Sequence, residues 1–403
     1  MKILLVHKFL YPKGGAETYV LKLGAFLQDR GHEVQYFGLD REENTVGNRI
    51  GAGVSDLDFS AGILRNLHAP LRIIYNDQAR RKIRAVLEDF QPDVVHLNNI
   101  QYHLTPSVIL EIARYRRETG SLVRIVYTAH DYQLICPSHG LFDTNLKVCE
   151  KCLRGNYTHC LRTKCLKNSY LKSLLAMMDA YFWKWSAAYD YIDTIICPSR
   201  FLKEKLDTQP RLRGKTVAIH NFVDTVEAAT TEKEGYVLEF GHLSRDKGTD
   251  TLLEVAHHMP ETQFVFAGFG EMEPEIEKLP NCRFVGFQKG KDLEMLIRKA
   301  SVTVYPSRWY ENCPFSVIES QMYGTPVIGA RMGGIPELIR EGETGELFEA
   351  GNAAQLEEKL RKILFTPHLA QIYRDHCRKV VFETPDSYCE KLLTLYGGNH
   401  EDL

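Results

Sequence analysis

The chain has 403 residues, a length that favours two domains of about 200 residues each. With 44% hydrophobic residues, 25% charged residues and a formal net charge of -2, its composition is that of an ordinary globular protein. Because the charges nearly balance, the chain has no overall attraction to nucleic acid, and we expect no nucleic acid as a partner.

The amino-terminal stretch MKILLVHKFLYP has a short apolar run without a small-residue cleavage site, so it predicts a buried first strand rather than a signal peptide. The longest apolar-looking stretch, 173–197, is interrupted by four charged residues and does not qualify as a membrane span. We therefore expect a cytoplasmic protein. In that compartment, its ten cysteines favour free thiols or metal ligands over disulfides.

Short β-branched runs alternate with amphipathic helices in both halves, a pattern typical of parallel sheets covered by helices. The first half begins with a strand over 2–6 and a helix over about 16–29, followed by the strands EVQYFGL, DVVHL, VRIVYTAH and DTIICPS. The second half has the strands YVLEFG, QFVFAG, RFVGF, VTVYPS and PVIGA, with helices beginning near Thr249, Glu271, Lys291, Pro314 and Pro336. The predicted fold class is α/β, with two doubly wound domains.

We place the first domain at 1–221 and the second at 222–384, joined by a polar connection over 225–235. A final helical stretch follows Pro385, and periodicity alone leaves open which domain it packs on. Ligands of doubly wound domains bind beyond the carboxyl ends of the strands, so the residues directly after each strand are the functional candidates.

The turn GHLSRDKG (241–248) follows a predicted strand and precedes a predicted helix. This position lets Arg245 and Lys247 reach an anion such as a diphosphate, where each charge-assisted hydrogen bond contributes about 1.5–3 kcal/mol. A solvated basic turn explains the same two residues, because such turns are common.

The segment YENCPFSVIE (310–319) carries two glutamates eight positions apart. Pro314 fits the first position of a helix, so Glu311 lies in the preceding loop and Glu319 in the second helical turn. The first-turn N–H groups are then free donors for an anion or a hydroxyl; they belong to Phe315, Ser316 and Val317. Two carboxylates placed in this way favour binding of the hydroxyl pairs of one ligand over acid–base catalysis on one bond. An exposed helix residue and a loop charge remain the alternative.

Several motifs occur together: GGAE (14–17), HD (130–131), the basic turn, two glutamates with seven residues between them, GTPV (324–327) and GGIPELI (333–339). This set resembles the retaining nucleotide-sugar glycosyltransferases of family 4, and in particular the bacterial enzymes of cell-surface polysaccharides. The resemblance covers nearly the whole chain and is more specific in its second half. It implies the GT-B fold, two Rossmann-like domains facing across a cleft, with the carboxyl-terminal stretch 385–403 returning to the first domain.

The resemblance also implies roles for individual residues. Glu311 would bind hydroxyls of the donor sugar, Lys247 and Arg245 the donor diphosphate, and His130 the hydroxymethyl side of the sugar. The implied donor-binding residues are Gly14, Gly15, His242, Phe315, Ser316, Val317 and Glu319, with Glu319 on the ribose. The acceptor-side candidates are Glu17, Asn98, Asn99, Asp131 and Tyr132.

The partners implied by the family are a UDP- or GDP-linked sugar and a glycan or polyprenyl-linked acceptor. Members of the family retain the anomeric configuration: an oxygen of the leaving phosphate assists deprotonation of the acceptor on the same face, so no strong protein base and no cofactor is required. The protein then contributes positioning and charge stabilisation.

Two positions depart from the family pattern. His242 stands where the family usually has arginine, and near neutral pH a histidine is only partly charged. Pro314 stands where many members have glycine, which removes one backbone donor. These departures keep two alternatives open: another GT-B enzyme such as a sugar-nucleotide epimerase, and a catalytically silent protein that binds sugar nucleotides.

A cysteine-rich insertion near 136–172 has the spacing C-x2-C-x7-C-x4-C and few hydrophobic residues. Its four cysteines could form a tetrahedral structural zinc site; they are Cys149, Cys152, Cys160 and Cys165. Cys136, His139 and His159 are competing ligands. Free thiols in a flexible loop are the alternative, because the second pair is irregularly spaced.

Residues 151–172 contain six lysines or arginines and no acidic residue, and an apolar, aromatic helix follows. This combination suits peripheral contact with the inner face of the cell membrane, where a lipid-linked acceptor would lie. A core helix beside a solvated loop explains it equally well.

Overall fold

The computed structural model describes residues 1–56, 69–224 and 232–398, so most of the predicted polar connection lies outside the described residues. The chain divides into two compact units. The N-terminal unit comprises Met1–Thr144, Cys149–Asn221 and Pro385–Leu403, and the C-terminal unit comprises Asn145–Val148 and Phe222–Thr384.

The sheet of the N-terminal unit has six described strands, all parallel, in the order β2-β1-β3-β4-β5-β6. The strands are β1 (Lys2–Val6), β2 (Glu33–Phe37), β3 (Val94–Asn98), β4 (Arg124–Thr128), β5 (Thr194–Cys197) and β6 (Thr216–Ala218). The chain leaves β1 toward β2 on one side and returns to β3 on the other. The topological switch point, where doubly wound sheets bind ligands, therefore lies between β1 and β3.

The helices of this unit lie between its strands along the chain. They are α1 (Gly15–Asp29), α2 (Ala69–Ile74), α3 (Asp77–Phe90), α4 (Ser107–Thr119), α5 (Thr158–Thr163), α6 (Tyr170–Ser186), a 3-10 helix (Ala188–Tyr191) and α7 (Arg200–Leu206). The central strand β3 is buried along its whole length, as expected for a strand covered by helices on both faces.

The C-terminal unit has a second parallel sheet, in the order β12-β11-β10-β7-β8-β9 among its described residues. Its strands are β7 (Val237–His242), β8 (Phe264–Phe269), β9 (Cys282–Phe284), β10 (Val302–Tyr305), β11 (Val327–Ala330) and β12 (Gly345–Phe348). Its helices are α8 (Thr249–His258), α9 (Glu273–Ile276), α10 (Gly290–Lys299), α11 (Phe315–Met322), α12 (Ile335–Leu338), α13 (Ala353–Leu364) and α14 (Pro367–Cys377). Here the switch point lies between β7 and β10.

The last helix, α15 (Pro385–Gly397), belongs to the N-terminal unit. The Tyr396 hydroxyl lies 2.7 Å from Nδ1 of His96 on β3, and the hydroxyls of Tyr388 and Tyr19 are 2.6 Å apart. All four side chains are buried, so these hydrogen bonds satisfy polar groups that would otherwise be costly in the interior. The helix whose packing partner periodicity left open is thereby fixed.

The two parallel sheets confirm the predicted fold class, although the sequence does not predict the edge strands β6 and β12. Both are short, with three and four residues, so they carry little periodicity. Among the described helices, none has the length and apolar character needed to cross a bilayer.

Candidate functional site

The loops after β7 and β10 bring two predicted residues together at the switch point of the C-terminal unit. Nζ of Lys247 lies 2.5 Å from Oε1 of Glu311, and the two side chains are 27% and 13% exposed. The Ser307 hydroxyl donates a second hydrogen bond to the same carboxylate oxygen, at 3.1 Å. The ammonium also lies 5.6 Å from the centre of the Trp309 ring, within cation–π distance. The result is an oriented pair of opposite charges that solvent still reaches.

The motif GGIPELI holds the loop that carries Glu311. The N–H of Gly334 donates to the Glu311 carbonyl at 2.7 Å. Gly333 has a φ of +58°, and a Cβ built there would lie 2.1 Å from the same carbonyl oxygen. Only glycine fits this close approach, so this part of the family motif serves to position Glu311.

His242 and Arg245 differ in how firmly they are held. Nδ1 of His242 lies 3.0 Å from the Ser244 hydroxyl, which donates to Asp246 at 2.6 Å. The Arg245 side chain is exposed, and its backbone is held by two hydrogen bonds: its N–H donates to the Glu271 carboxylate at 3.3 Å and its carbonyl accepts from Gly248 at 3.1 Å. A short hydrogen-bonded chain therefore orients His242, whereas the guanidinium extends into solvent.

Three aromatic rings form a row at the carboxyl ends of β7, β8 and β9. Ring centres of His242 and Phe269 are 5.3 Å apart, and those of Phe269 and Phe287 are 6.0 Å apart. Phe269 is 57% exposed and Phe287 is 65% exposed, which is unusual for rings of this size. Sequence reasoning missed both, although each stands directly after a glycine near the end of a strand. We call these three residues the aromatic row.

Helix α11 begins one residue later than predicted and changes the set of backbone donors. Pro314 is its N-cap, with φ -68° and ψ 121°, and makes no side-chain cap. The N–H of Val317 bonds to the Pro314 carbonyl at 3.2 Å, so the prediction of a free donor at Val317 is wrong. The first-turn N–H groups of Phe315 and Ser316 remain without a side-chain cap, and Glu319 is half-buried within the helix.

A second group of polar residues lies where β1, β3 and β4 end in the N-terminal unit. His7, directly after β1, is fully buried, and its Nε2 lies 3.7 Å from Oε1 of Glu17 on α1. Nε2 of His130, after β4, lies 2.9 Å from Oδ1 of Asn98 at the end of β3. We call His7, Glu17, Asn98 and His130 the histidine cluster. Sequence reasoning missed His7, whose signal was its place immediately after a strand.

Burial keeps the histidines of this cluster neutral. It lowers the pKa of His7 to about 4 and that of His130 to about 3. Nδ1 of His7 lies 2.8 Å from the carbonyl oxygen of Phe9 and 3.0 Å from the backbone nitrogen of the same residue, so both backbone groups of Phe9 hold the ring at this nitrogen. Nε2 is buried and has no hydrogen-bond partner among the described residues. Such a nitrogen suits a ligand hydroxyl.

The other candidates of this unit occupy varied positions. Gly14 is the N-cap of α1 and Gly15 its first residue, both exposed. Asn99 is half-buried with a φ of 33°, and the Asp131 carboxylate accepts from the N–H of Gln133 at 2.9 Å. Tyr132 is completely buried, which places its ring in the core rather than at a surface.

The prediction of a four-cysteine zinc site is not supported by the structure. Across the described residues, which include all ten cysteines, no group of three or more His, Cys, Asp or Glu side chains could hold a metal ion. Of the four predicted ligands, Cys160 and Cys165 lie together at the end of α5, where the N–H of Cys165 donates to the Cys160 carbonyl at 3.1 Å.

Two family models match the chain in succession. The model described as Glycosyltransferase Family 4 matches residues 13–227, more than half of the chain. The model described as Glycosyl transferases group 1 matches residues 224–380. A relative from Klebsiella pneumoniae, an uncharacterized 42.6 kDa protein in the cps region, is 24% identical over 363 residues, which are 84% of this chain and 88% of the relative.

Solved structures with the same fold match almost the full length. Sucrose-phosphate synthase from Thermosynechococcus elongatus has a TM-score of 0.71 at 17% identity, covering 98% of both chains. HepE of Anabaena in complex with UDP has a TM-score of 0.67 at 17% identity, covering 98% of this chain and all of that one. At these identities the likeness concerns the fold, which is GT-B.

Proposed function

The chain belongs to glycosyltransferase family 4, and we propose that it moves a sugar from a nucleoside diphosphate to an acceptor hydroxyl with retention of configuration. The observation that carries this proposal is the Lys247–Glu311 pair at the switch point of the C-terminal unit. A cation and a carboxylate 2.5 Å apart, both partly exposed, match a ligand that has an anionic group next to hydroxyls.

In this proposal Lys247 neutralises the charge that develops on the leaving diphosphate. Glu311, oriented by Ser307, accepts hydrogen bonds from hydroxyls of the donor sugar. The uncapped N–H groups of Phe315 and Ser316 offer further donors at the positive end of α11, and Glu319 would receive the ribose hydroxyls.

In this proposal the anomeric configuration is retained because the acceptor reacts on the same face of the sugar as the leaving phosphate, which takes the acceptor proton. The bond between the anomeric carbon and the phosphate oxygen breaks, the acceptor oxygen bonds to that carbon from the same face, and the acceptor proton passes to the leaving phosphate. The engagement of Glu311 by Lys247 and Ser307 supports this route, because the carboxylate oxygen that accepts both hydrogen bonds is already used in binding.

The aromatic row supports a nucleotide as the leaving group. Exposed rings beside a cationic site offer a stacking surface for a nucleobase, and stacking tolerates either base of a UDP- or GDP-linked donor. UDP-sugars are the first donors to test, because HepE of Anabaena was solved with UDP.

We assign the acceptor to the N-terminal unit. The two histidines of its histidine cluster are neutral, and Nε2 of His7 is buried without a hydrogen-bond partner among the described residues; this suits a hydroxyl, which can donate or accept, rather than an anion. The relative in a cps region supports a cell-surface glycan, either free or polyprenyl-linked, as the acceptor class.

A surface of α6 supports a lipid-linked acceptor. Four apolar side chains at spacings of seven, four and three lie on one face of the helix and are exposed by 59%, 48%, 39% and 77%; they are Leu171, Met178, Phe182 and Trp185. Exposed basic residues flank the beginning of the helix, among them Lys167 and Lys172. An apolar stripe with a basic border fits an anionic bilayer surface. We call these four apolar residues the α6 stripe.

Vesicle sedimentation tests this surface. The protein should sediment with phosphatidylglycerol vesicles and much less with phosphatidylcholine vesicles. Phe182→Ser with Trp185→Ser, and separately Lys167→Gln with Lys172→Gln, should each reduce sedimentation, whereas Phe365→Ser, which changes a 58% exposed ring of the C-terminal unit, should not. Equal sedimentation of all variants would refute the membrane contact and leave the transferase activity untouched.

The activity itself is tested with purified protein, a panel of nucleotide sugars and glycan or polyprenyl-linked acceptors. We expect release of nucleoside diphosphate that depends on the acceptor, and a product whose anomeric configuration, measured by NMR, equals that of the donor. Conversion of the donor without acceptor would indicate an epimerase. Donor binding without turnover across the acceptor panel would indicate a silent binding protein.

A further inference from the structure

Two cysteines of the cysteine-rich insertion are brought together by the way helix α5 ends. Lys164 takes the left-handed conformation, with φ 49° and ψ 39°, and its N–H bonds to the Leu161 carbonyl at 3.2 Å. The N–H of Cys165 bonds to the Cys160 carbonyl at 3.1 Å. These two bonds form a Schellman motif, which places the side chains of its first and last residues in contact. The C-x4-C spacing is therefore the spacing of a helix end.

The two sulfurs of this pair are chemically unequal. The Cys160 thiol donates to the Ser173 carbonyl at 3.8 Å, and the interaction between the two cysteine side chains lowers the pKa of Cys165 and raises that of Cys160. Partial burial of Cys165 opposes this lowering of its pKa. Cys165 is half-buried and Cys160 is buried, so the sulfur with more thiolate character is also the more accessible one.

The backbone around these two cysteines contains many non-glycine residues in an unfavourable conformation, so a local covalent restraint would stabilise it. Six of the eleven described non-glycine residues with positive φ lie within 136–168, namely His139, Leu141, Leu146, Lys164, Lys167 and Asn168. L-residues resist this conformation, so the surroundings must hold it in place. The apolar core here is small, with Cys152, Tyr157, Cys160 and Ala176 as its buried members.

We propose that Cys160 and Cys165 form a thiol-oxidation site, in which a hydroperoxide converts the pair into a disulfide that secures the end of α5. The Cys165 thiolate attacks the peroxide, takes one oxygen to become a sulfenic acid and releases one water after protonation. The Cys160 thiol then attacks the sulfenic sulfur and releases a second water. In total, two thiols lose two electrons and two protons to one hydrogen peroxide, and a thiol reductant reverses the change.

Alanine or other apolar residues at both positions would fill the same Schellman contact, so packing at the helix end does not by itself account for two thiols there. The neighbouring thiols have other surroundings. Cys136 is buried, and its sulfur is hydrogen-bonded to the Ser138 hydroxyl at 3.3 Å. Burial raises the pKa of Cys152 to about 12, which disfavours its thiolate. The geometry therefore favours the 160–165 pair over these two.

The test is titration of the full-length, reduced protein with hydrogen peroxide, followed by alkylation, intact mass measurement and peptide mapping. We expect two fewer alkyl groups than on the fully reduced chain, with the unlabelled pair mapped to a bond between Cys160 and Cys165 that dithiothreitol breaks. Limited proteolysis within 136–168 should be slower after oxidation.

Serine variants distinguish the cysteine that attacks the peroxide, Cys165, from the cysteine that attacks the sulfenic acid, Cys160. Cys160→Ser should leave a sulfenic acid on Cys165 that dimedone traps, and Cys165→Ser should remove the fast reaction. Cys282→Ser, which changes a half-buried cysteine of the other unit, should react as the unmodified protein does. The wild-type peptide map decides the matter even if a serine variant fails to fold.

Three outcomes would overturn the proposal: a first disulfide between other cysteines, oxidation of Cys282 ahead of Cys165, or one equivalent of zinc that protects the thiols until a chelator removes it.

Discussion

The two units place different chemistry at the same location of the same kind of sheet. In the C-terminal unit the strand-end residues are ionic and partly exposed: Lys247 and Glu311 are paired, with 27% and 13% of their side chains accessible. In the N-terminal unit the strand-end histidines are buried, and burial lowers the pKa of His7 to about 4. A site that binds a diphosphate needs side chains that stay charged, and partial exposure to solvent keeps them so. A site that binds a hydroxyl can use oriented neutral groups, such as buried histidines.

The largest expected effect concerns the ionic site. Lys247→Ala and Glu311→Gln should each reduce kcat by about 10²–10³, equivalent to about 2.7–4 kcal/mol of transition-state stabilisation, because a charge-stabilising contact is lost. Steady-state kinetics with the identified donor measure this. Lys299→Ala and Glu341→Gln each break an exposed ion pair of the same unit and should leave kcat unchanged. Full activity of both site variants would refute the assigned roles.

The next effect concerns the backbone that holds Glu311. Gly333→Ala should lower the free energy of unfolding by more than the roughly 1–2 kcal/mol that a left-handed conformation costs an L-residue, because its Cβ would also strike the Glu311 carbonyl. Gly342→Ala is the matched control: its φ is +78°, but a Cβ there meets nothing within 4 Å. Denaturant unfolding of both variants measures the difference. Equal losses would show that the close approach to Glu311 is unimportant.

A smaller effect concerns the neutral site and depends on pH. The folded pKa of His130 is about 3, below its ordinary 6.5, so between these values the unfolded chain binds a proton that the folded chain does not. Its contribution to stability is complete above pH 6.5 and declines as the pH falls, by about 1.4 kcal/mol between pH 7.5 and 5.5. His130→Gln should lose that much less stability over this interval than the unmodified protein.

The control for that experiment is His368→Gln, which changes an exposed histidine and should leave the pH dependence as it is. Unfolding in urea at the two pH values gives the comparison. If His130→Gln and the unmodified protein lose equal stability, the histidine is not held neutral by burial.

The smallest expected effect concerns the aromatic row beside the ionic site. Phe269→Ala and Phe287→Ala should each weaken UDP binding by about 0.5–1.5 kcal/mol, the usual contribution of an aromatic pair. Calorimetric titration with UDP measures it. Phe365→Ala alters a comparably exposed ring and should not change the affinity. If neither phenylalanine variant changes the affinity for UDP, the nucleobase does not stack on the aromatic row. The roles of Lys247 and Glu311 are tested separately by the kinetic experiment.

Residues that follow strands were the most predictable part of the candidate sites. Lys247 and Glu311 were found from their places after a strand and before a helix, and His130 was found from the family resemblance. His7, Phe269 and Phe287 stand at equivalent places but escaped, because an isolated histidine or phenylalanine after a strand has many ordinary explanations. Their exposure or burial, which distinguishes them, is a property of the folded chain.

The sequence by itself determined the two α/β units, the order of most strands and the family, because alternating periodicity and glycine-containing motifs are local signals. Only the tertiary structure decided that α15 packs in the N-terminal unit, that the N–H of Val317 is already bonded, and that the four predicted zinc ligands form no metal group. The packing of α15 and the arrangement of the cysteines depend on contacts between residues that are far apart in the sequence. The hydrogen bond of Val317 depends on a helix start that differs by one residue from the predicted one. Hydrophobic periodicity does not predict such contacts, because it identifies which face of a helix or strand is buried but not which residues that face packs against.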